Sequence, residues 1–374
     1  MKKTKITLLA LLFSVVITAQ VKHSFEAETQ TGYEYNYFKS PNEVHQNGEI
    51  FTADDLIASS LYQYLKLDYD YRKRWGKHRF RFSAQPEAIV FYENTDDSYW
   101  SFLTHGKYDY RFNRNTRLLA EISFKRMNRE GLDGAQDVLI NPLGYTNYGA
   151  KAGMRFGLLK NNKTTIMALY NFRNFDAFGI RDLEFKEMGV QFKTEQAFRV
   201  NSLTHKYGLT GFVKKRKYKT FNASDVIPEG ERNWGYVKTT AFYTYPIGKQ
   251  LELKPSFMYY VRTDQDKRSG FKQYGPELAL RFTNKNTKIR SAFKYITRNY
   301  NEIEARDNTG LINEKIQYNY ADFVLNAEHA LSDHFFLTTT VYSRIRQTNY
   351  TSVAARSFRG YRHQYAGIGI KWEI

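Results

Sequence analysis

Residues 365–374 read YAGIGIKWEI, and their side chains sort into two sets. Ala366, Ile368, Ile370, Trp372 and Ile374 fall on one face of an extended chain. Gly367, Gly369, Lys371 and Glu373 fall on the other. Side chains of a strand point alternately to opposite faces, so an apolar residue at every second position predicts a strand with one greasy and one wet surface. One such segment fits an ordinary edge strand. Its recurrence along the chain does not.

Residues 61–72 set Leu61, Leu65, Leu67, Tyr69 and Tyr71 against Tyr64, Lys66, Asp68, Asp70 and Arg72. Residues 79–92 oppose Phe80, Phe82, Ala84, Ala88 and Val90 to Arg79, Arg81, Ser83, Gln85 and Glu87. The same division separates Leu118, Ala120, Ile122 and Phe124 from Arg117, Glu121, Ser123 and Lys125. In residues 251–262 it separates Leu251, Leu253, Phe257, Tyr259 and Val261 from Glu252, Lys254, Ser256 and Arg262. The charges sit where the interior of a soluble sandwich would be dry and the lumen of a barrel wet.

Connections decide between those two. Tight turns rich in Asn, Gly, Lys and Asp are expected near 73–78, 113–116, 160–163, 199–202, 247–249, 284–286 and 332–334. Between them lie eight mostly longer segments, at 39–55, 94–97, 127–145, 174–184, 218–232, 265–271, 302–313 and 349–358. Only 94–97 is short. A transmembrane barrel keeps short turns on its periplasmic side and longer loops outside, whereas a sandwich has no reason to sort its loops by end. Fifteen connections predict about 16 antiparallel strands. Fourteen is the alternative, because residues 183–217 read as either two strands or one.

Composition agrees. The 374 residues include 30 Tyr and 28 Phe but only seven Pro, and mean hydropathy is −0.62. That value excludes a helical membrane protein and suits a barrel that alternates lipid and water faces. Tyr33, Tyr35, Tyr37, Trp100 and Phe102 at one set of strand ends are expected to form an interfacial girdle. Tyr69, Tyr71, Tyr108, Tyr110, Phe112 and Trp372 are expected to form the other.

The N-terminus carries Lys2, Lys3 and Lys5, an apolar run from Ile6 to Ile17, and then Thr18, Ala19 and Gln20. This is the pattern of a secretory signal peptide over 1–19, with cleavage expected after Ala19 and the barrel over 20–374. Loss of three lysines and no acid would lower the formal charge from +18 to +15. The absence of cysteine excludes a lipoprotein anchor and a disulfide framework.

On these grounds the chain resembles a bacterial outer-membrane barrel of porin-like size, by pattern and not by a family-specific motif. The last strand resembles the terminal assembly signal of such barrels, except that it ends in Ile374, with Trp372 two residues earlier. The resemblance implies residence in the outer membrane, among its lipids and lipopolysaccharide.

Function is read from the inward face. Bases expected there include Arg79, Arg81, Arg155, Arg290, Lys294, Arg298 and Arg344, and inner-face bases outnumber acids. Fixed cations lower the Coulomb barrier for anions, so a passive pore favouring small anionic solutes is expected. The competing structural reading is that these cations are spent on cross-strand ion pairs.

Two other functions compete. A lipid-modifying enzyme, a phospholipase or lipid A hydrolase, needs a nucleophile and an oriented base on the lipid face. His205 and His329 have outward parity, but no convincing Ser stands near either. A structural or secretion-associated barrel would bind a partner through its loops, of which 127–145 is the longest. No cofactor is expected, no nucleic-acid motif is present, and a homo-oligomer is compatible with the pattern. Asp96 with Asp97, and Asp264 with Asp266, read as turn formers before they read as a calcium site.

Overall fold

The structure is a computed structural model that describes residues 20–130, 143–176, 183–219, 232–265, 267 and 269–374. The proposed leader, 1–19, lies outside the described residues. So does most of the 127–145 loop.

Sixteen antiparallel strands form a closed barrel. The first four are β1 Gln20–Tyr35, β2 Ser60–Trp75, β3 His78–Phe91 and β4 Tyr99–Arg111. They are followed by β5 Arg117–Glu130, β6 Leu143–Phe156, β7 Asn162–Phe175 and β8 Glu184–Val200. Next come β9 Leu203–Lys219, β10 Arg232–Pro246, β11 Leu251–Asp264 and β12 Phe271–Thr283. The last four are β13 Thr287–Asp307, β14 Gly310–Ala330, β15 Phe335–Thr348 and β16 Tyr361–Glu373. Each pairs with its neighbour in sequence, and β1 closes the ring against β16. Segment 183–217 resolves into two strands, β8 and β9, joined by Asn201 and Ser202. Both turn residues have positive φ, 47° and 67°, as a tight two-residue hairpin turn requires.

Seven short turns lie at one end, where the sequence places them, and the longer connections lie at the other. The exception is 302–313, which is not a loop. β13 and β14 each run 21 residues and meet at Asn308 and Thr309. Asp307 Oδ1 accepts bonds from Thr309 N at 2.7 Å, Thr309 Oγ1 at 2.6 Å and Gly310 N at 3.0 Å, and Gly310 has φ 136°. This local turn chemistry, together with the burial of Ala305 and Ile316, carries the ladder far beyond the neighbouring strands.

The two faces are as different as the sequence requires. Leu65, Leu67, Ile122, Val213 and Phe257 stay exposed on the outside. Ile122 is 67% exposed, which no water-soluble packing would tolerate across so many strands. Only a closed sheet can satisfy its backbone inside hydrocarbon, and this ring leaves no free edge. The chain is a transmembrane barrel of the kind found in the outer membrane of Gram-negative bacteria.

Tyr33, Trp100, Phe112 and Trp372 are exposed on the outside near the strand ends, as girdle residues should be. Tyr37 is not. Beyond the end of β1, Asn36 takes φ 55° and Tyr37 is buried, stacked 4.5 Å from Phe91 with its hydroxyl donating to Asp97 Oδ2 at 2.6 Å.

Candidate functional site: the inner wall of the barrel

Alternation along the strands turns every predicted lumen residue inward. Arg81 hydrogen-bonds Asp70, which also accepts from Arg72 at 2.6 Å. Arg344 grips Asp322 with two nitrogens, at 2.8 and 2.7 Å. Lys294 reaches Glu277 at 3.4 Å. Arg298 donates to Gln273 at 2.8 Å and lies 4.4 Å from the Phe271 ring centre. Arg155 has only Thr165 Oγ1, at 3.3 Å. Arg79 stands opposite Asp109, and Arg290 stands between Arg281 and Asn326. Among the described residues, Arg79, Arg155 and Arg290 make no ion pair with a carboxylate.

Ion pairing is therefore selective. Glu187 is held by Lys214 at 3.0 Å and Arg216 at 2.9 Å. Glu328 takes Lys288 at 2.6 Å as well as Lys371. The inward carboxylates Asp70, Glu187, Asp322 and Glu328 are thus neutralised, and several cations are left over.

A cavity of about 770 Å³ opens in the wall formed by β13–β16 and β1–β4. Glu26, Glu28, Lys66, Arg290, Glu328 and Lys371 line it, so it carries both charges. At its outer end His363 Nε2 lies 2.8 Å from Glu34.

Toward the long-loop end the wall changes character. Guanidinium groups alternate with aromatic rings around much of the inner circumference. Arg173 lies 3.9 Å from the Tyr145 ring centre, and Arg216 lies 4.1 Å from Phe185. Arg262 sits 4.5 Å from both Trp234 and Phe271. Arg346 lies 4.5 Å from Tyr318 and 4.4 Å from Tyr361. Arg262 and Arg346 are each only 2% exposed. A cation over an aromatic face is attracted by the ring quadrupole, more so when water is excluded.

Sequence reasoning missed this collar because it sorted aromatics by closeness to strand ends and not by parity. The signal was present in Arg232, Trp234 and Tyr236, which alternate on the inward face of β10.

Histidine contacts bear on hydrolytic chemistry. His205 Nδ1 lies 2.8 Å from the Tyr243 hydroxyl, and His329 Nδ1 lies 2.9 Å from Thr287 Oγ1. Among the described residues no histidine ring hydrogen-bonds a serine hydroxyl. No group of three metal-ligating side chains converges among them either. Asp264 accepts from Arg232 and Ser269, while Asp266 lies outside the described residues.

No protein-family model matches the chain, and no curated protein is similar to it in sequence. Solved structures with a related shape are outer-membrane proteins. The outer membrane channel DcaP of Acinetobacter baumannii is 10% identical, with a TM-score of 0.47 over 96% of this chain and 98% of that one. OpdQ of Pseudomonas aeruginosa is 10% identical, with a TM-score of 0.46 over 95% and 97%. The alcaligin receptor FauA of Bordetella pertussis is 12% identical, with a TM-score of 0.42 over 86% of this chain, which spans about half (51%) of the receptor. Likenesses this weak carry no functional information.

Proposed function

We propose that this outer-membrane barrel is a passive diffusion channel for small solutes that favours anions. One observation carries the reading: bases outnumber acids on the inward face, and several of them make no ion pair among the described residues. Arg79, Arg155 and Arg290 are the members of the predicted set left without a carboxylate partner among the described residues. Arg81, Lys294 and Arg344 are neutralised locally and contribute less to the field a passing ion meets. Fixed positive charge in a low-dielectric ring concentrates anions and excludes cations.

Export in this reading uses residues 1–19 as a cleaved leader. The exposed apolar belt meets outer-membrane lipid, with lipopolysaccharide on the outer leaflet. The test is a reversal potential across a potassium chloride gradient in planar bilayers containing the purified protein. A potential of the sign set by chloride supports the reading. A cation-selective potential overturns the preference, and absent conductance overturns the channel.

A further inference from the structure

The register of β4, β5 and β6 places three arginines in one row. Arg111 is the cross-strand partner of Arg117, and Arg117 is the partner of Arg155. All three have inward parity, and all three lie beside the short turns at 112–116 and 157–161. Arg79, next to the turn at 76–77 on β3, joins the same cluster, since it stands opposite Asp109, the carboxylate that reaches Arg117. Directly opposed like charges destabilise a sheet. Here two such oppositions stand side by side. Among the described residues one acid answers them: Asp109, whose Oδ2 is 3.8 Å from Arg117 Nη1.

The arrangement is costly to the empty barrel and becomes favourable once an oxyanion bridges the guanidinium forks. A guanidinium presents a planar pair of donors matched to two oxygens of a phosphate, and such charge-assisted bonds are among the strong ones. Arg117 stands between Arg111 and Arg155, with roughly 5 Å between the Cβ atoms of opposed pairs, so their long side chains can converge on one tetrahedral anion. Chloride, with no second oxygen to offer, uses only the charge.

We propose that Arg79, Arg111, Arg117 and Arg155 form a binding station for phosphate-class oxyanions at the periplasmic mouth of the lumen. This deepens the channel reading and rests on it for access from both sides. Free phosphate and the phosphate of a small phosphomonoester share the required chemistry.

The test measures chloride current through single channels while inorganic phosphate, or separately a hexose phosphate, is added. In parallel, calorimetry measures phosphate binding to detergent-purified protein. Saturable reduction of the current by phosphate, with heat of binding, is expected. The double variant Arg117→Gln/Arg155→Gln should raise the half-saturating concentration about tenfold or more. Arg117→Lys keeps the charge but loses the fork, and should itself raise the half-saturating phosphate concentration several-fold. Arg114→Gln, in the adjacent exposed turn, should leave it unchanged.

Chloride current with no saturable phosphate effect and no heat overturns the station and leaves the channel standing. Heat of binding without any current overturns the channel and leaves the station. Equal loss in Arg114→Gln shows a diffuse charge effect and overturns the station. A response to inorganic phosphate alone excludes the phosphomonoester as ligand, and the reverse excludes free phosphate. If the double variant fails to assemble, Arg117→Lys decides.

Discussion

A methyl group at position 32 would have nowhere to go. Gly32 faces Gly367 across the closing seam, and the Tyr62 ring lies over both. A Cβ on Gly32 would stand 2.6 Å from Tyr62 Cζ, and one on Gly367 would stand 2.5 Å from its hydroxyl. Gly32→Ala should therefore cost about 1–3 kcal/mol by overpacking. The loss would be read as a lower denaturant midpoint for the folded form in detergent. Asp264 lies at the outer end of β11, past the exposed Tyr259. Burial opposes its ionisation, yet hydrogen bonds from Arg232 and Ser269 outweigh that and hold its carboxyl below the ordinary 3.8. A lowered folded value means the stabilisation is full above 3.8 and is lost as pH falls through the lowered value. The protection of Ser269 N, the slowing of its exchange relative to an unstructured amide at the same pH, should accordingly fall on acidification below that range and stay constant between pH 5 and 8.

At the scale of elements, the long β13–β14 hairpin does more than connect. Its backbone and side chains hold the connection 349–360: Thr351 N donates to Arg306 O at 2.8 Å, and Val353 N donates to Asn308 Oδ1 at 2.9 Å. That connection in turn holds the first one, through His45 N to Val353 O at 2.8 Å and Arg356 to Ser40 Oγ at 2.7 Å. Shortening the hairpin by removing residues 303–314 should leave the barrel folded while 349–360 becomes open to limited proteolysis. Equal resistance in the shortened protein would show that the loops hold one another without it. Strands and short turns were legible in the sequence because period-two alternation and turn residues are local signals. The hairpin was not: Glu302, Glu304 and Asn313 look like loop polarity, and the apolar Ile303, Ala305 and Ile312 between them gain a partner only when loop 349–360 folds back. The charged half of the candidate site was legible by parity at Arg79, Arg81 and Arg155. Which of these is paired was not, since Asp70 binds Arg81 while Asp109 stands near Arg117, a choice made by side-chain reach across strands.

For the molecule as a whole, the outward belt sets stability. Its apolar side chains pack against no protein, so their burial energy exists only in lipid or detergent. Ile122→Arg, near the middle of β5, should destabilise the inserted barrel by about 2–4 kcal/mol in reversible unfolding from vesicles. The same change at an inward position such as Ser123 should cost far less and alter conductance.

The seam between the first and last strands also decides whether the sheet has edges. Phe25 and Ile374 exchange both backbone bonds, at 3.0 and 2.9 Å, so the final residue fastens to the start of β1. A nascent polypeptide cut off before Tyr361 would retain two raw margins, at β1 and β15, each a template for pairing with other chains. Closure thus depends on β16: without it there is a curved ribbon, and with it a cylinder.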